Sequence, residues 1–229
     1  MATLQELIDE QRGLLDDEAK PHLFSDVELL RYNNKAVDRL ATEAFLISDA
    51  ATAAVCQVSL TLLLGAHYTK HAKIVKIREC RLTGYTIPMT RADLPWLQSH
   101  FPTWQSMNPA NPRFFCEDLT SGKISFIPAP DAAYTANLIV YRRPLTTELL
   151  ALSTAGLIAS PIIDERYHKY ILNGVLAQAY GKQDAETFDR NLQLKHEALF
   201  KVDLDKAFNE NMQTTYSNQT VSLHRGFTG

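Results

Sequence analysis

The sequence predicts an α+β protein, a split helical bundle with an inserted antiparallel β subdomain. Two capped amphipathic segments open the chain, a helical hairpin lies near its end, and a long stretch rich in β-forming and turn residues separates them. Helices that are distant in sequence but carry apolar faces are expected to bury those faces on one another. We therefore predict two N-terminal helices in residues 1–48, the β subdomain in 49–145, two or three C-terminal helices in 146–211, and an extended tail in 212–229.

The two N-terminal helices begin at capping boxes, in which a Ser or Thr is followed three residues later by Glu. The first box is Thr3 with Glu6, and the second is Ser25 with Glu28. Apolar residues then recur at helical spacing in both segments. The first helix is expected to end in an acidic run, and the second is expected to reach about Leu46.

The middle of the chain changes from helical spacing to the composition of strands and turns. Residues 83–113 contain several prolines, with a short helix predicted near 92–97, and a second short helix is predicted at 146–152. Strands are predicted where β-forming residues cluster or alternate with charged ones, at residues 54–64, 68–82, 113–117, 123–127 and 137–142.

A helical hairpin is predicted after Pro161. Asp164 can cap a helix that runs to about Tyr180, and Gly181 supplies a left-handed stop for it. Asp184 then offers a cap for a second helix that continues to about Phe208. Both segments carry apolar residues four apart, so they are expected to pack on each other and on the N-terminal helices.

The charge of the chain argues against nucleic-acid binding through overall attraction, because the formal net charge is −3. The charges are unevenly spread, however: acids predominate in residues 1–30 and bases predominate in residues 70–81. Opposite patches of this kind can help identical copies associate side by side. The alternative is that both are solvated faces without a partner.

The three cysteines, Cys56, Cys80 and Cys116, are widely spaced and odd in number. They form neither a metal-binding pattern nor a disulfide framework, so we expect buried free thiols in a reducing cytosol. The N-terminus lacks a basic-then-apolar signal, and no apolar run has the length needed to span a bilayer. A soluble intracellular protein with no membrane partner is expected.

Two functional alternatives arise from short patterns. Glu165 and His168 match the Glu-x-x-His half-site of a bundle di-iron enzyme, but the chain contains no second half-site. The basic residues 70–81, together with Trp96 and Trp104, suggest a nucleic-acid-binding module that stacks bases. The chain shows neither a nucleophile elbow nor a phosphate-binding loop, so the sequence predicts no enzyme, no metal and no cofactor.

Three longer phrases carry a family resemblance: LLDDEAKPHLFSDVELLRYNNKAVDRLA at residues 14–41, LIVYRRPL at 138–145, and PIIDERYHKYILNGVLAQAYGKQDAETFD at 161–189. They resemble segments of the phage head-to-tail adaptor, or connector, proteins of the tail tubular protein A type found in short-tailed phages. The resemblance covers most of residues 4–208.

The resemblance implies a structural virion protein, made in the host cytoplasm and located in the neck of the particle. Such adaptors form a ring of identical subunits, typically a dodecamer, that joins the portal protein to a tail nozzle protein of the tail tubular B type. DNA passes through the ring without sequence-specific binding, and a terminal tail often docks along the portal.

This resemblance and the charge pattern together suggest two sets of contact residues. For the portal we expect the apolar residues of the tail, Tyr216, Leu223 and Phe227, to be the contacts, the alternative being a tail that stays disordered. For the contact between subunits we expect acids of one copy to meet bases of the next, namely Asp16, Asp17 and Glu18 with Lys73, Lys76 and Arg78.

Overall fold

The computed structural model describes residues 3–61, 67–183 and 187–220, and it has the mixed α+β fold predicted from the sequence. The chain divides into two compact units. Unit 1 comprises Met1–Ile47 and Arg143–Gly229, and unit 2 comprises Ser48–Arg142. Helices build unit 1, whereas unit 2 contains eight strands among its described residues.

Helix α1 spans Leu4–Leu14 and begins at the predicted capping box. The Thr3 hydroxyl oxygen accepts a hydrogen bond from the Glu6 amide, and the Glu6 carboxylate accepts one from the Thr3 amide at 2.9 Å. The helix ends because Asp16 adopts a left-handed backbone conformation, with φ of 53°. Asp is one of the few residue types that tolerate this conformation.

Helix α2 spans Asp26–Glu43 and also begins at its predicted capping box. The Ser25 hydroxyl oxygen accepts from the Glu28 amide, and the Glu28 carboxylate accepts from the Ser25 amide at 3.0 Å. The helix ends before the expected Leu46, because Phe45 takes a left-handed conformation with φ of 54°. Tertiary packing decides this end, since the local sequence has no glycine there.

The predicted helix after Asp164 has two parts. A 3₁₀ helix spans Glu165–Tyr170, and α6 continues directly as Ile171–Tyr180. The Asp164 carboxylate accepts from the Arg166 amide, so it caps the helix as expected. The left-handed stop predicted at Gly181 is wrong, because this residue ends α6 with φ of −84°. Two shorter elements precede this segment in unit 1, a 3₁₀ turn at Thr146–Glu148 and α5 at Thr154–Leu157.

Helix α7 spans Arg190–Thr220 and is 31 residues long. The predicted cap, Asp184, lies outside the described residues. Asp189 caps α7, because its carboxylate accepts from the amides of the second and third residues that follow it. No helix in the described ranges is both long enough and apolar enough to cross a membrane.

The prediction of extended chain from residue 212 onward is wrong for residues 212–220, which continue α7. Residues 190–220 contain no glycine and no proline, so nothing in the local chemistry stops the helix at the predicted Phe208. In this last part the Thr214 hydroxyl donates to the Glu210 carbonyl oxygen, one turn back along the helix, at 3.0 Å. Residues 221–229 lie outside the described residues.

The core of unit 1 joins helices from both ends of the chain. Helix α6 packs against α2 and α7, and the contact is close because Gly174 has no side chain. A Cβ at Gly174 would lie 3.0 Å from the Cβ of Ala36 and 2.9 Å from the Phe200 ring. The buried residues of this core come from all of these helices and include Leu4, Leu7, Leu29, Leu40, Tyr167, Ile171, Val175, Phe200 and Leu204. The split bundle is therefore confirmed.

Unit 2 contains two sheets. In the first, β8 (Tyr134–Arg142) pairs antiparallel with β4 (Ile74–Leu82) along one edge and with β1 (Ser48–Asp49) and β2 (Gln57–Leu60) along the other. In the second, β3, β7, β6 and β5 lie in that order, and the β5–β6 pair is parallel. The bounds of these four strands are His67–Thr69, Lys123–Ile127, Phe114–Glu117 and Thr90–Arg91.

The strand predicted at residues 54–64 is shorter than expected. One helical turn, α3 (Ala53–Cys56), precedes β2, because the Thr52 carbonyl accepts from the amides of Val55 and Cys56. Residues 62–66 lie outside the described residues. The strand predicted at 68–82 is divided into β3 and β4, and the short helix predicted near 92–97 is α4, Leu94–His100.

The chain enters and leaves unit 2 on neighbouring strands. Ser48 pairs with Tyr141, and the Arg142 Nε donates to the Asp49 carboxylate at 2.6 Å. Burial alone would raise the pKa of Asp49, but the amide of Thr52, other nearby donors and the Arg142 guanidinium outweigh burial. Together they hold that pKa well below its usual range.

Candidate functional site

The acidic residues predicted to contact a neighbouring subunit have different environments. Asp16 and Glu18 are exposed on unit 1. Asp17 is only 2% exposed, and its carboxylate pairs with the Arg12 guanidinium at 2.6 Å. The prediction that Asp17 contacts another copy is therefore wrong: its side chain is a buried ion-pair partner within its own subunit.

The buried Asp17 carboxylate organises the loop between α1 and α2. It accepts hydrogen bonds from the amides of Leu23 and Phe24. Arg12 in turn reaches the carboxylate of Asp26 at 2.5 Å, in the first turn of α2. A buried charge of this kind needs both an ionic partner and satisfied hydrogen bonds. This network holds Asp16, Leu23 and the start of α2 in place on the surface of unit 1.

The predicted basic residues lie on or next to β4 in unit 2. Lys76 and Arg78 are exposed, and Lys73 is half-buried. Lys70 and Arg81, in the same segment, form ion pairs within unit 2, Lys70 with Glu117 and Asp118, and Arg81 with Glu79. The Ile77 amide donates to the Glu117 carboxylate at 3.3 Å, so this acid also satisfies one backbone N–H group of β4.

The predicted portal contacts lie at or beyond the end of α7. The structure describes the backbone of Tyr216 within that helix but not its side chain, while Leu223 and Phe227 lie outside the described residues. Asn211 marks where α7 is joined to the bundle: its side-chain amide donates to the carbonyl oxygens of Ala44 and Phe45 at 3.1 and 2.8 Å. These carbonyls belong to the end of α2, where helical partners are missing.

The di-iron alternative finds little support in the geometry. Glu165 is exposed, whereas His168 is buried and its Nε2 is 3.0 Å from the Ile163 carbonyl oxygen. In residues 3–61, 67–183 and 187–220, no group of three or more His, Cys, Asp or Glu side chains could hold a metal ion. Within the described residues His168 contacts the backbone just before the 3₁₀ helix, and Glu165 is the first residue of that helix.

The nucleic-acid alternative is also weakened, because both tryptophans are packing residues. Trp96 and Trp104 pack against a cluster of Ala92, Leu97, Cys116 and Ile127 in unit 2. Trp96 also lies against Phe114, with ring centroids 5.2 Å apart. A side chain that stacks bases needs an open ring face, and these two indoles are half-buried.

The cysteines are buried free thiols, as predicted. Burial raises the pKa of Cys56 and of Cys116 to about 11, and it raises the pKa of Cys80 further. A thiolate is the reactive form, so these residues are poor nucleophiles at neutral pH.

The structure also exposes apolar residues that the sequence reasoning missed. On α7 the residues that pack inward are Phe200, Leu204 and Ala207, whereas Leu194 and Val202 face solvent. The signal was present in the sequence, because Leu194, Ala198 and Val202 recur four apart just as the inward residues do.

Comparison with known proteins identifies the family. The family model of the SU10 adaptor protein matches residues 2–224, which span both units. No curated protein matches the chain. The match confirms the resemblance to phage head-to-tail adaptors, while the tail tubular protein A type remains a prediction. On this match, the chain belongs to the SU10 adaptor protein family.

Proposed function

We propose that this structural adaptor forms a ring of identical subunits, typically twelve, between the portal and the tail nozzle of a phage. DNA passes through the ring without sequence-specific binding, and no catalytic step is involved. The protein is then a neck component of the virion, made in the host cytoplasm. The observation that carries this proposal is α7, which continues past its junction with α2 at Asn211 toward the C-terminal residues.

The portal contact is assigned to the end of the chain. Asn211 fixes the place where α7 leaves the α2 end, and residues 212–220 extend the helix by about 14 Å at 1.5 Å per residue. Tyr216, Leu223 and Phe227 supply the apolar side chains of this end. Their burial on the portal offsets the entropy lost when the residues become ordered.

For the charged contact between subunits we propose the residues predicted from the sequence, without Asp17. Asp16 and Glu18 of one copy face the bases of the next, Lys73, Lys76 and Arg78. Two different surfaces then meet at each contact, and such head-to-tail contacts close into a ring when the rotation divides a full turn. Exposed pairs of this kind contribute orientation more than affinity.

The test mixes the full chain with rings of the portal protein and images the complex by negative-stain electron microscopy. We expect added density under the portal ring, and its absence contradicts the adaptor position. Deletion of residues 212–229 should remove the binding. Unchanged binding by the deletion variant eliminates the tail-docking assignment while leaving the ring in place.

A matched pair of triple variants separates side-chain contacts from simple tail length. Tyr216→Ala, Leu223→Ala and Phe227→Ala together should weaken portal binding roughly tenfold or more, because apolar burial is lost. The polar control, Ser217→Ala, Asn218→Ala and Gln219→Ala together, should bind the portal as the wild type does. Equal loss in both triple variants contradicts the apolar contacts.

A further inference from the structure

Helix α7 carries apolar residues on two opposite sides. The inward side contacts the bundle through Phe200 and Leu204. The outward side carries Leu194, Ala198 and Val202, which we call the α7 stripe; its two large residues are 58% and 48% exposed. A surface helix of a monomer normally keeps its outer side polar. An exposed apolar stripe on such a helix is a candidate surface for contact with another molecule.

The surroundings of the α7 stripe are basic. Lys195 and Lys201 are exposed beside it. Glu197, in the same stretch, is engaged by Arg39 at 2.8 Å, and Asp205 adds one exposed acid beyond Val202. Two α7 stripes facing each other across a two-fold axis would bring lysines against lysines, which is unfavourable. The charges favour an acidic partner surface with an apolar centre.

Unit 1 presents such a surface at the other end of its sequence. Leu14, Leu23 and Val27 are exposed there, and Val27 is 65% exposed. The exposed acids among them are Asp16, Glu18 and Asp26, and we call these six residues the acidic patch. The acidic patch is preorganised, because the buried Arg12–Asp17 pair fixes both the Leu23 amide and Asp26. Preformed surfaces lose less entropy on binding.

We propose that the α7 stripe of one copy packs on the acidic patch of the next copy. The aliphatic residues form the centre of the contact, and the lysines and acids form its rim. The inference rests on the proposed ring, because two different surfaces of the same unit produce a head-to-tail contact. It also gives Asp16 and Glu18 a different partner from the β4 bases, and the experiments below decide between the two.

Cross-linking tests the contact directly. The variant Val27→Cys with Val202→Cys is assembled on portal rings, imaged, and treated with a short bis-maleimide. The three native cysteines are buried, so the introduced thiols are the reactive ones. We expect a ladder of covalent dimers, trimers and larger species, and no cross-links in either single variant. A dimer from Val202→Cys alone indicates two-fold pairing of α7 and overturns the proposal.

The outcome separates this contact from the ring itself. Imaged rings that give no ladder overturn the contact between the α7 stripe and the acidic patch and leave the proposed function standing. If no ring or portal complex forms with the wild-type chain, both are overturned.

Charge reversal supplies the second measurement. Lys195→Glu with Lys201→Glu should lower ring yield about tenfold or more, because like charges then meet at the rim. Adding Asp16→Asn and Glu18→Lys should restore the yield, and asparagine tolerates the left-handed conformation at position 16. The control carries the same change of charge on other exposed lysines, Lys35→Glu with Lys169→Glu, and should assemble normally.

The same changes at Asp16 and Glu18 decide between the two assignments. If they rescue Lys76→Glu with Arg78→Glu but do not rescue the α7 reversals, the acidic patch binds β4 and the α7 proposal is wrong.

Discussion

Asp16, Asp17 and Glu18 are consecutive acids with different structural roles. Asp16 takes the left-handed conformation that ends α1, Asp17 is buried against Arg12, and Glu18 is exposed. Composition alone treats them as one acidic run. The difference arises because the chain reverses at Asp16, and the Asp17 amide then donates to the Arg12 carbonyl oxygen at 2.9 Å. The Asp17 side chain is buried within its own subunit, whereas the side chains of Asp16 and Glu18 are exposed and can contact another molecule.

Replacing the buried acid should destabilise unit 1. Asp17→Asn removes the charge opposite Arg12 and weakens the acceptor for two loop amides, so we expect the free energy of unfolding to fall by about 2–4 kcal/mol. Urea unfolding followed by far-UV circular dichroism measures the loss. The control is Asp16→Asn, which keeps a residue that tolerates the left-handed conformation and should change stability by less than about 0.5 kcal/mol. Equal effects of the two substitutions contradict the assigned environments.

Asp49 should make the stability of unit 2 depend on pH. Its pKa is lower in the folded protein than in the unfolded chain, so the stability it contributes is present above about pH 4 and is lost as pH falls further. Asp49→Asn should therefore be less stable than the wild type at pH 7, with a difference that shrinks toward pH 3. Both tryptophans of the chain lie in unit 2, so urea unfolding monitored by fluorescence reports it. A difference that does not vary with pH contradicts this role.

At the scale of elements, α6 is the central helix of unit 1. It lies close to α2 and α7 because Gly174 leaves room for Ala36 and for the Phe200 ring. Helix α7 is long because its sequence lacks breakers, and it is joined to the end of α2 through Asn211. The close packing of α6 therefore depends on Gly174, and the contact between α7 and the end of α2 depends on the Asn211 side-chain amide.

Gly174→Ala should destabilise the bundle although alanine is the better helix former. Overpacking a filled core costs about 1–3 kcal/mol, whereas alanine gains at most about 1 kcal/mol over glycine in a helix. We expect a net loss of stability in urea unfolding followed by helical circular dichroism.

The matched control is Gly13→Ala in α1. The nearest atom to a Cβ there is the exposed Glu18 Oε1 at 3.3 Å, at the far end of a flexible side chain. Stability should stay unchanged or rise by up to about 1 kcal/mol. A stabilised Gly174→Ala protein contradicts the close packing of α6.

At the scale of the whole molecule, one chain builds two units by inserting unit 2 between the halves of unit 1. The two ends of unit 2 are neighbours, because Ser48 pairs with Tyr141. The insertion therefore does not require the two halves of unit 1 to move apart. Each unit has its own buried side chains. The SU10 adaptor match covers both units, so family membership applies to the whole chain rather than to one half.

Removing unit 2 should leave unit 1 folded. Paired strand residues have Cα atoms about 5 Å apart, so a short Gly-Ser linker in place of residues 48–142 can join the two halves without strain. We expect helical circular dichroism and a cooperative thermal transition. An unfolded product contradicts the independence of unit 1, and a permuted linker sequence of the same length controls for the linker itself.

Much of the fold could be predicted from the sequence because its signals are local. Capping boxes at Thr3 and Ser25 form within four residues, and strand composition identified β6, β7 and β8. The predicted ends of α2 and α7 were wrong because helix ends depend on what the next residues pack against. The candidate site was only partly predictable: Asp16 and Glu18 are exposed as required, but the portal contacts fall on residues whose side chains the structure does not describe.

By itself the sequence determined the α+β class, the capped helix starts, the buried thiols and the resemblance to phage head-to-tail adaptors. The first three follow from interactions between residues close in sequence, and the resemblance follows from three sequence segments at residues 14–41, 138–145 and 161–189. Only the tertiary structure decided that Asp17 is an internal ion-pair partner, that Gly174 is required by Ala36 and Phe200, and that α7 keeps one apolar side exposed. The physical reason is that these three features depend on how the chain reverses after α1 and how the helices pack on one another, which the local sequence pattern does not record.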